Sequence, residues 1–343
     1  MKLLVYGDLQ ATDGDALCHT QPNMTLQHYR VRKFFDDIRV IYAQHKCDGL
    51  VDLGDTTDDR SSIPVPTLDI LCDGLSTLPD GTNLKLIGNH EQFLRDTTVN
   101  NHRLFESKFT VVENNEVLKL GDYAAFFCSY PSGDGALAAW LMQNIQKYRT
   151  SRKILFGHFQ AEGSITGGGM ALKGVPLPLL RDNFEMVLLG HIHGRQALAE
   201  NVYHVGSPFQ QNWGEAGEKK YVAILDTRTL KIEWVEMTGY PLHKTVTFEE
   251  YRTLDLASTE DRYRVRLDNH EQAEQFFASP TFHRCEGVYN YDETPAMTED
   301  GVIQTDFSFD ATCRRYLGLV PPAEVGIKLP ADEMLEIAQT ITQ

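Results

Sequence analysis

Residues 186–193 read MVLLGHIH: four apolar side chains, a glycine, then imidazoles at 191 and 193. The run is short and ends on a breaker, so it predicts a buried strand that delivers two histidines into the loop at its end. The same design recurs along the chain. Lys2–Tyr6 runs into GDLQ (7–10), Gly49–Leu53 into GDTTD (54–58), Leu84–Ile87 into GNHE (88–91), and Lys153–Phe156 into GHF (157–159). A set of apolar strands that each end in a polar cluster points to open sheets, whose sites gather outside the strand ends.

The segments between these strands set the architecture. Met24–His45 places Leu26, Tyr29, Phe34, Ile38 and Ile41 near helical spacing, Pro64–Leu75 opens with a proline suited to a first turn, and Asp134–Tyr148 is helix-like. Val111-Val112 and Val117-Leu118 flank ENNE, whose paired asparagines predict a hairpin turn, and Tyr123–Cys128 adds a strand. Val202–Val205, Tyr221–Leu225 and Lys231–Val235 are expected to be antiparallel strands, the last two joined through DTRT. Helices alternate with strands early and strands dominate later, which predicts an α/β layered sandwich with helices outside mixed sheets.

Turn residues Gly239-Tyr240-Pro241 coincide with a change in charge: residues 1–239 carry a net −6 and residues 240–343 a net −10, within a total of −16. We therefore place a main domain at 1–239, a smaller α+β domain at 240–320 and a tail at 321–343. The second contains an expected strand at 263–267 and helix at 270–277, and the tail ends in a short helix at 332–341. The acidic balance offers no basic tail to nucleic acid and disfavours an anionic membrane surface. Six scattered cysteines do not make a disulfide framework or a thiolate zinc site. No signal peptide pattern follows Met1-Lys2 and no 18-residue apolar run occurs, so a soluble cytoplasmic protein is expected.

Hard oxygen donors and neutral imidazoles in five strand-end loops are what a pair of divalent ions needs, with one carboxylate between them. Asp55 is placed to bridge. The second ion would take Asn89, His158 and His191; the first would take Asp8 and His193, with Gln10 a weaker donor than imidazole. His191 and His193 point the same way if the chain there is extended, whereas a bent loop aims them apart. His90 stays outside the ligand count and is free to donate to a phosphoryl oxygen or leaving group. Each cluster alone also reads as ordinary structure: Asp8 and Asp55 as turn or cap residues, Asn89-His90 as a turn, His158 as a core histidine. Their joint occurrence at successive strand ends favours the metal reading.

The order GDLQ, GDTTD, GNHE, GHF, GHIH resembles the calcineurin-like metallophosphoesterase superfamily, whose pattern is D-x-H, G-D, G-N-H-D/E, G-H and G-H-x-H. The resemblance implies a four-layer αββα sandwich and two divalent ions, Mn2+ first, with Mg2+ or Fe2+/Zn2+ as alternatives. The first site would be Asp8, Gln10, Asp55 and His193, Gln10 standing where the family has His. The second would be Asp55, Asn89, His158 and His191, with Asp55 and His90 the catalytic residues. Residues 203–221, YHVGSPFQQNWGEAGEKKY, look like the segment after the last metal-binding histidine of SbcD-like DNA repair nucleases, where Y-x-G-S-P precedes a Glu-containing loop. This implies a Mn-dependent DNA exo/endonuclease with a C-terminal capping domain, working as a homodimer with an SbcC-like coiled-coil ATPase. A short acidic chain of this type also looks like the phage-encoded versions, which act in the host cytoplasm.

Within that segment Ser207 could touch phosphate, and Trp213 or Phe209 could stack on a base or pack in the core. Lys173, Arg195, Lys219 and Lys220 are candidates for phosphate contacts or ordinary solvated charges. Two other functions compete: a phosphodiesterase or phosphatase for a small nucleotide or protein, favoured by the acidic balance, and a partner-binding subunit with a degenerate metal site, motivated by Gln10.

Overall fold

A computed structural model describes residues 1–14, 18, 24–94, 99–166 and 169–289. The expected tail at 321–343, with its short helix at 332–341, lies outside them. Contacts divide the chain into two compact units, Met1–Lys244 with Ala257–Asp261, and Thr245–Leu256 with the chain from Arg262.

Two six-stranded sheets form the first unit. One runs β12 (Lys231–Glu236), β11 (Tyr221–Asp226), β1 (Lys2–Tyr6), β2 (Gly49–Asp52), β3 (Leu84–Leu86), β4 (Thr110–Val112). The other runs β5 (Glu116–Leu120), β6 (Tyr123–Cys128), β7 (Arg152–Gly157), β8 (Met186–Leu189), β10 (Val202–His204), β9 (Gln196–Ala199). Helix α1 (Leu26–His45) starts at Thr25, whose side chain accepts the His28 N–H at 3.1 Å, and stops at Lys46 in the left-handed conformation. Helix α2 (Val65–Thr77) begins after Pro64; α3 (Asp134–Lys147) and α4 (Leu177–Arg181) complete the set.

The period of two along each strand sorts side chains into layers. Leu4 and Tyr6 of β1 face out, against Phe34, Ile38 and Leu71 of α1 and α2. Leu3 and Val5 face in and meet Ala125, Phe127, Phe156 and Leu188 of the second sheet. On that sheet's far side Phe126, Leu155 and Val187 pack on Leu137 and Leu141 of α3 and Leu180 of α4. The result is an αββα sandwich with three apolar interfaces. Strands buried on both faces read as continuous apolar runs, which is why they stand out in the sequence.

The strand pairing corrects two expectations. ENNE is not a hairpin turn: β4 pairs with β3, β5 pairs with β6, and residues 113–115 carry the chain from the edge of one sheet to the edge of the other. Val202–Val205 does not join the antiparallel pair β11–β12; β10 lies parallel to β8 in the second sheet. Strand β9, unread in the sequence, pairs with β10 through a register shift.

The second unit has its own small core. Strands β13 (His243–Thr247), β14 (Arg262–Leu267) and β15 (Cys285–Tyr289) form a three-stranded sheet, with α5 (Phe248–Tyr251) and α6 (His270–Ala278) beside it. Phe248, Tyr251, Tyr263, Val265 and Phe276 fill it. Thr247 and Glu250 close a reciprocal capping box on α5. Among the described residues no helix is long and apolar enough to cross a membrane, and no disulfide joins Cys18, Cys47, Cys72, Cys128 or Cys285.

Candidate active site

β1, β2 and β3 run parallel in one sheet and β6, β7 and β8 in the other, so their carboxyl ends supply loops to one edge of the sandwich. The five polar clusters follow β1, β2, β3, β7 and β8, and their backbone is unusual. Asp8, Gln10, Asp55 and His191 have φ of 55°, 53°, 54° and 76°; among the described residues the other non-glycine cases are Lys46 and Leu230. L-residues enter this region at a cost of roughly 1–2 kcal/mol each, sustained only where neighbours hold them. Here the first two loops zip together: the Asp8 N–H donates to Gly54 O at 2.9 Å, Gln10 N–H to Asp55 O at 2.9 Å and Ala11 N–H to Thr56 O at 2.8 Å. Gly88 is sterically required, since a Cβ there would lie 2.0 Å from Asp55 Oδ1.

Four ligand candidates converge. Asp55 Oδ2 lies 3.2 Å from His158 Nε2, and Asn89 Oδ1 lies 3.1 Å from His158 Nε2 and 2.8 Å from His191 Nδ1. Asp55, His158 and His191 offer ligand atoms that are all within 4.8 Å of one another, the single such group of acidic, His or Cys side chains among the described residues. His158 Nδ1 is 2.8 Å from Leu53 O, so that nitrogen carries the proton and Nε2 faces the cluster. Burial disfavours charge on His158, yet Asp55 and Asp8 overcome it and hold its pKa up at about 9. The same burial, with His158 beside it, presses His191 down to about 3. Burial would raise Asp55, but His158 and His90 draw its carboxyl well below the usual range.

The remaining candidates lie around Asp8. Its carboxylate is fully buried and accepts the His191 N–H at 3.0 and 3.1 Å; burial pushes its pKa up to about 6. Gln10 Nε2 donates to Asp55 Oδ2 at 3.2 Å, while its Oε1 is buried with no hydrogen-bond partner. The positive φ of His191 selects the bent loop: His191 turns to Asn89, whereas His193 Nδ1 turns to Glu215 Oε1 at 2.9 Å. His193 thus stands apart from the Asn89 cluster, its Nε2 the ring nitrogen left for a ligand. His90 is about a third exposed; its N–H donates to Asp55 Oδ1 at 2.8 Å, and its Nδ1 is 2.5 Å from Asp58 O and 3.3 Å from Asp58 Oδ1.

The model of the calcineurin-like phosphoesterase family matches residues 1–195, which carry all of these clusters. The chain belongs to that family. A viral relative, "Putative phosphoesterase 078R" of Invertebrate iridescent virus 3, is 24% identical over 223 residues, 63% of each chain. The match therefore spans less than two thirds of that relative's length. Among solved structures, an archaeal phosphodiesterase aligns at 11% identity and TM-score 0.35, covering 69% of this chain and 99% of the other. The Pseudomonas putida nuclease MPE aligns at 15% identity and TM-score 0.31, covering 68% and 87%.

In this member of the family the residues suit divalent ions. Carboxylate and amide oxygens with imidazole nitrogens form a donor set for hard to borderline cations. The unpartnered, buried Gln10 Oε1 is an acceptor that a cation would satisfy.

The residues that hold the candidate ligands in place carry no signal in the sequence. Glu215 Oε2 is 2.6 Å from Lys220 Nζ and accepts the Gln211 N–H at 3.0 Å, and Asn212 Nδ2 donates to Oε1 at 3.0 Å. Burial would raise this carboxyl, but His193 and Lys220 hold it down at about 2. Tyr130, after β6, sets its ring 5.4 Å from that of His191 and 6.1 Å from that of His158. Asp58 orients His90. Within residues 203–221, buried Ser207 donates to Phe209 O at 2.9 Å, Phe209 stacks on Tyr240, and Trp213 packs edge-on against His243. Of the candidate cations, Lys220 is buried on Glu215, Lys219 pairs with Glu236, and Arg195 lies over Tyr221 and Trp234; Lys173 is exposed.

Proposed function

We propose that the protein is a divalent-metal-dependent phosphodiesterase that cuts DNA, with manganese as its working metal. The observation that carries the metal-dependent phosphodiesterase part is the convergence of Asp55, Asn89, His158 and His191 beside a partly exposed His90. Ions bound by these residues and by Asp8, Gln10 and His193 would supply Lewis-acid polarisation of a phosphoryl oxygen and ionise a water at neutral pH. The chain's own part is positioning. Leu53 O fixes the His158 tautomer, Glu215 fixes that of His193, and Asp58 O accepts a hydrogen bond from His90 Nδ1–H, so that the ring, when protonated, presents Nε2–H to the leaving oxygen. Asp58 Oδ1, 3.3 Å from the same nitrogen, adds a second contact that orients the ring.

DNA as substrate, a homodimer and an SbcC-like ATPase partner in the cytoplasm rest on the likeness of residues 203–221 to SbcD-like nucleases. A small-nucleotide phosphodiesterase is the second reading, favoured by the net charge of −16 and by the internal use of Lys220. End-labelled duplex and single-stranded DNA, a dinucleotide and a phosphomonoester incubated with Mn2+ distinguish them. The proposal expects metal-dependent shortening of DNA; turnover of the dinucleotide alone, with the ATPase partner also supplied, assigns the second reading.

A further inference from the structure

Strand β3 reads Leu84-Lys85-Leu86, and the lysine is completely buried. Its Nζ reaches Asp52 Oδ2 at 3.1 Å, Thr56 Oγ1 at 2.7 Å and Glu91 Oε1 at 2.7 Å, over the ring of Phe105 at 4.3 Å. Each carboxylate that it touches is itself gripping backbone. Asp52 accepts the Gly54 N–H at 2.9 Å and the Thr56 hydroxyl at 2.7 Å. Glu91 accepts three amides: Asp55 at 3.2 Å, Thr56 at 3.0 Å and Gly88 at 2.8 Å. Without a cation, two buried carboxylates would face each other beside a third at Asp55.

We infer that Lys85 is a positioning residue: by holding Asp52 and Glu91 together it joins the GDTTD loop to the GNHE loop and presets the left-handed turn of Asp55. This rests on reading Asp55 as a metal ligand and adds how its backbone is placed before any ion arrives. A loop fixed in this way keeps the ordering cost out of metal binding; a loop freed from it does not. The connection is local and polar, so its effect on the site is separable from its effect on the core.

The test uses the full chain and Mn2+ titrated calorimetrically, with urea unfolding in parallel. Lys85→Met keeps the length of the side chain and removes the charge. Metal affinity is expected to fall at least about tenfold, the scale of lost support around a metal ligand, and exchange of the Asp55, Thr56 and Gly88 amides to speed up. Glu91→Gln and the pair Lys85→Met with Glu91→Gln complete a cycle and restore charge balance should the single variant fail to fold. The pair is expected to weaken binding by less than the sum of the two single changes, because Lys85 acts in part through Glu91. Lower urea stability with wild-type Mn2+ affinity in the folded variants overturns the inference and leaves a structural lysine. Absence of Mn2+ binding by the wild-type chain instead removes the metal reading beneath it.

Discussion

Replacing Glu215 by Gln tests how the site holds His193. The carboxylate is 4% exposed and Lys220 is 5% exposed, and the pair sits at 2.6 Å with His193 Nδ1 on the other oxygen at 2.9 Å. Two routes give the magnitude. Removing one partner of a buried ion pair costs about 3–5 kcal/mol, and Glu218, 2.9 Å from Lys220, keeps the loss near the lower end. Independently, a carboxyl held at about 2 instead of the ordinary 4.5 contributes roughly 3 kcal/mol at pH 7 in the metal-free protein. The folded pKa is depressed, so this contribution is complete above the unfolded value and is lost as pH falls towards the folded one. About a quarter should be gone by pH 4. Urea unfolding of both proteins between pH 5 and pH 4, below the ordinary range of a histidine, should show the gap narrowing, and Mn2+ affinity at pH 7 should drop about 10–100-fold. Equal urea midpoints at pH 7, or a gap that widens between pH 5 and pH 4, would refute the reasoning.

Four further outcomes follow from the same geometry. His90→Ala should lower turnover about 10²–10⁴-fold while leaving metal stoichiometry unchanged, checked by kinetics beside elemental analysis; undiminished turnover removes its assigned role. Because His158 is held at about 9 and must shed a proton to bind a cation, Mn2+ affinity should climb as pH rises towards 9, with proton release seen as a buffer-dependent heat. Gln10→His should tighten Mn2+ binding, since imidazole is the better donor; unchanged affinity places Gln10 outside the coordination shell. Gly88→Ala drives a Cβ to 2.0 Å from Asp55 Oδ1 and should abolish Mn2+ binding without global unfolding, followed by calorimetry and circular dichroism.

Much of this was legible because buried parallel strands announce themselves as apolar runs, and because the polar loops stand where those runs end. Legibility failed where identity depends on partners distant in sequence. Asn114-Asn115 resembles a hairpin turn locally, but Val111 belongs with Lys85 and Val117 with Phe126, in different sheets. Gln196–Ala199 is only partly buried and shows no clean alternation, so β9 carried no pattern. Ser207 and Lys220 looked like contacts for a ligand, yet both turn inward to build the support of His193. Lys85 was concealed inside an apolar run, its carboxylate partners lying on a different strand and in the following loop. A sequence shows which side chains can hold a cation more readily than which ones hold the holders.

The reading of these loops as a two-cation site is tested most directly by anomalous scattering from a crystal grown or soaked with Mn2+. Two peaks about 3.5–4 Å apart are expected, one among Asp55, Asn89, His158 and His191, the other among Asp8, Gln10, Asp55 and His193. No anomalous peak within coordinating distance of Asp55 at saturating Mn2+ would contradict the account.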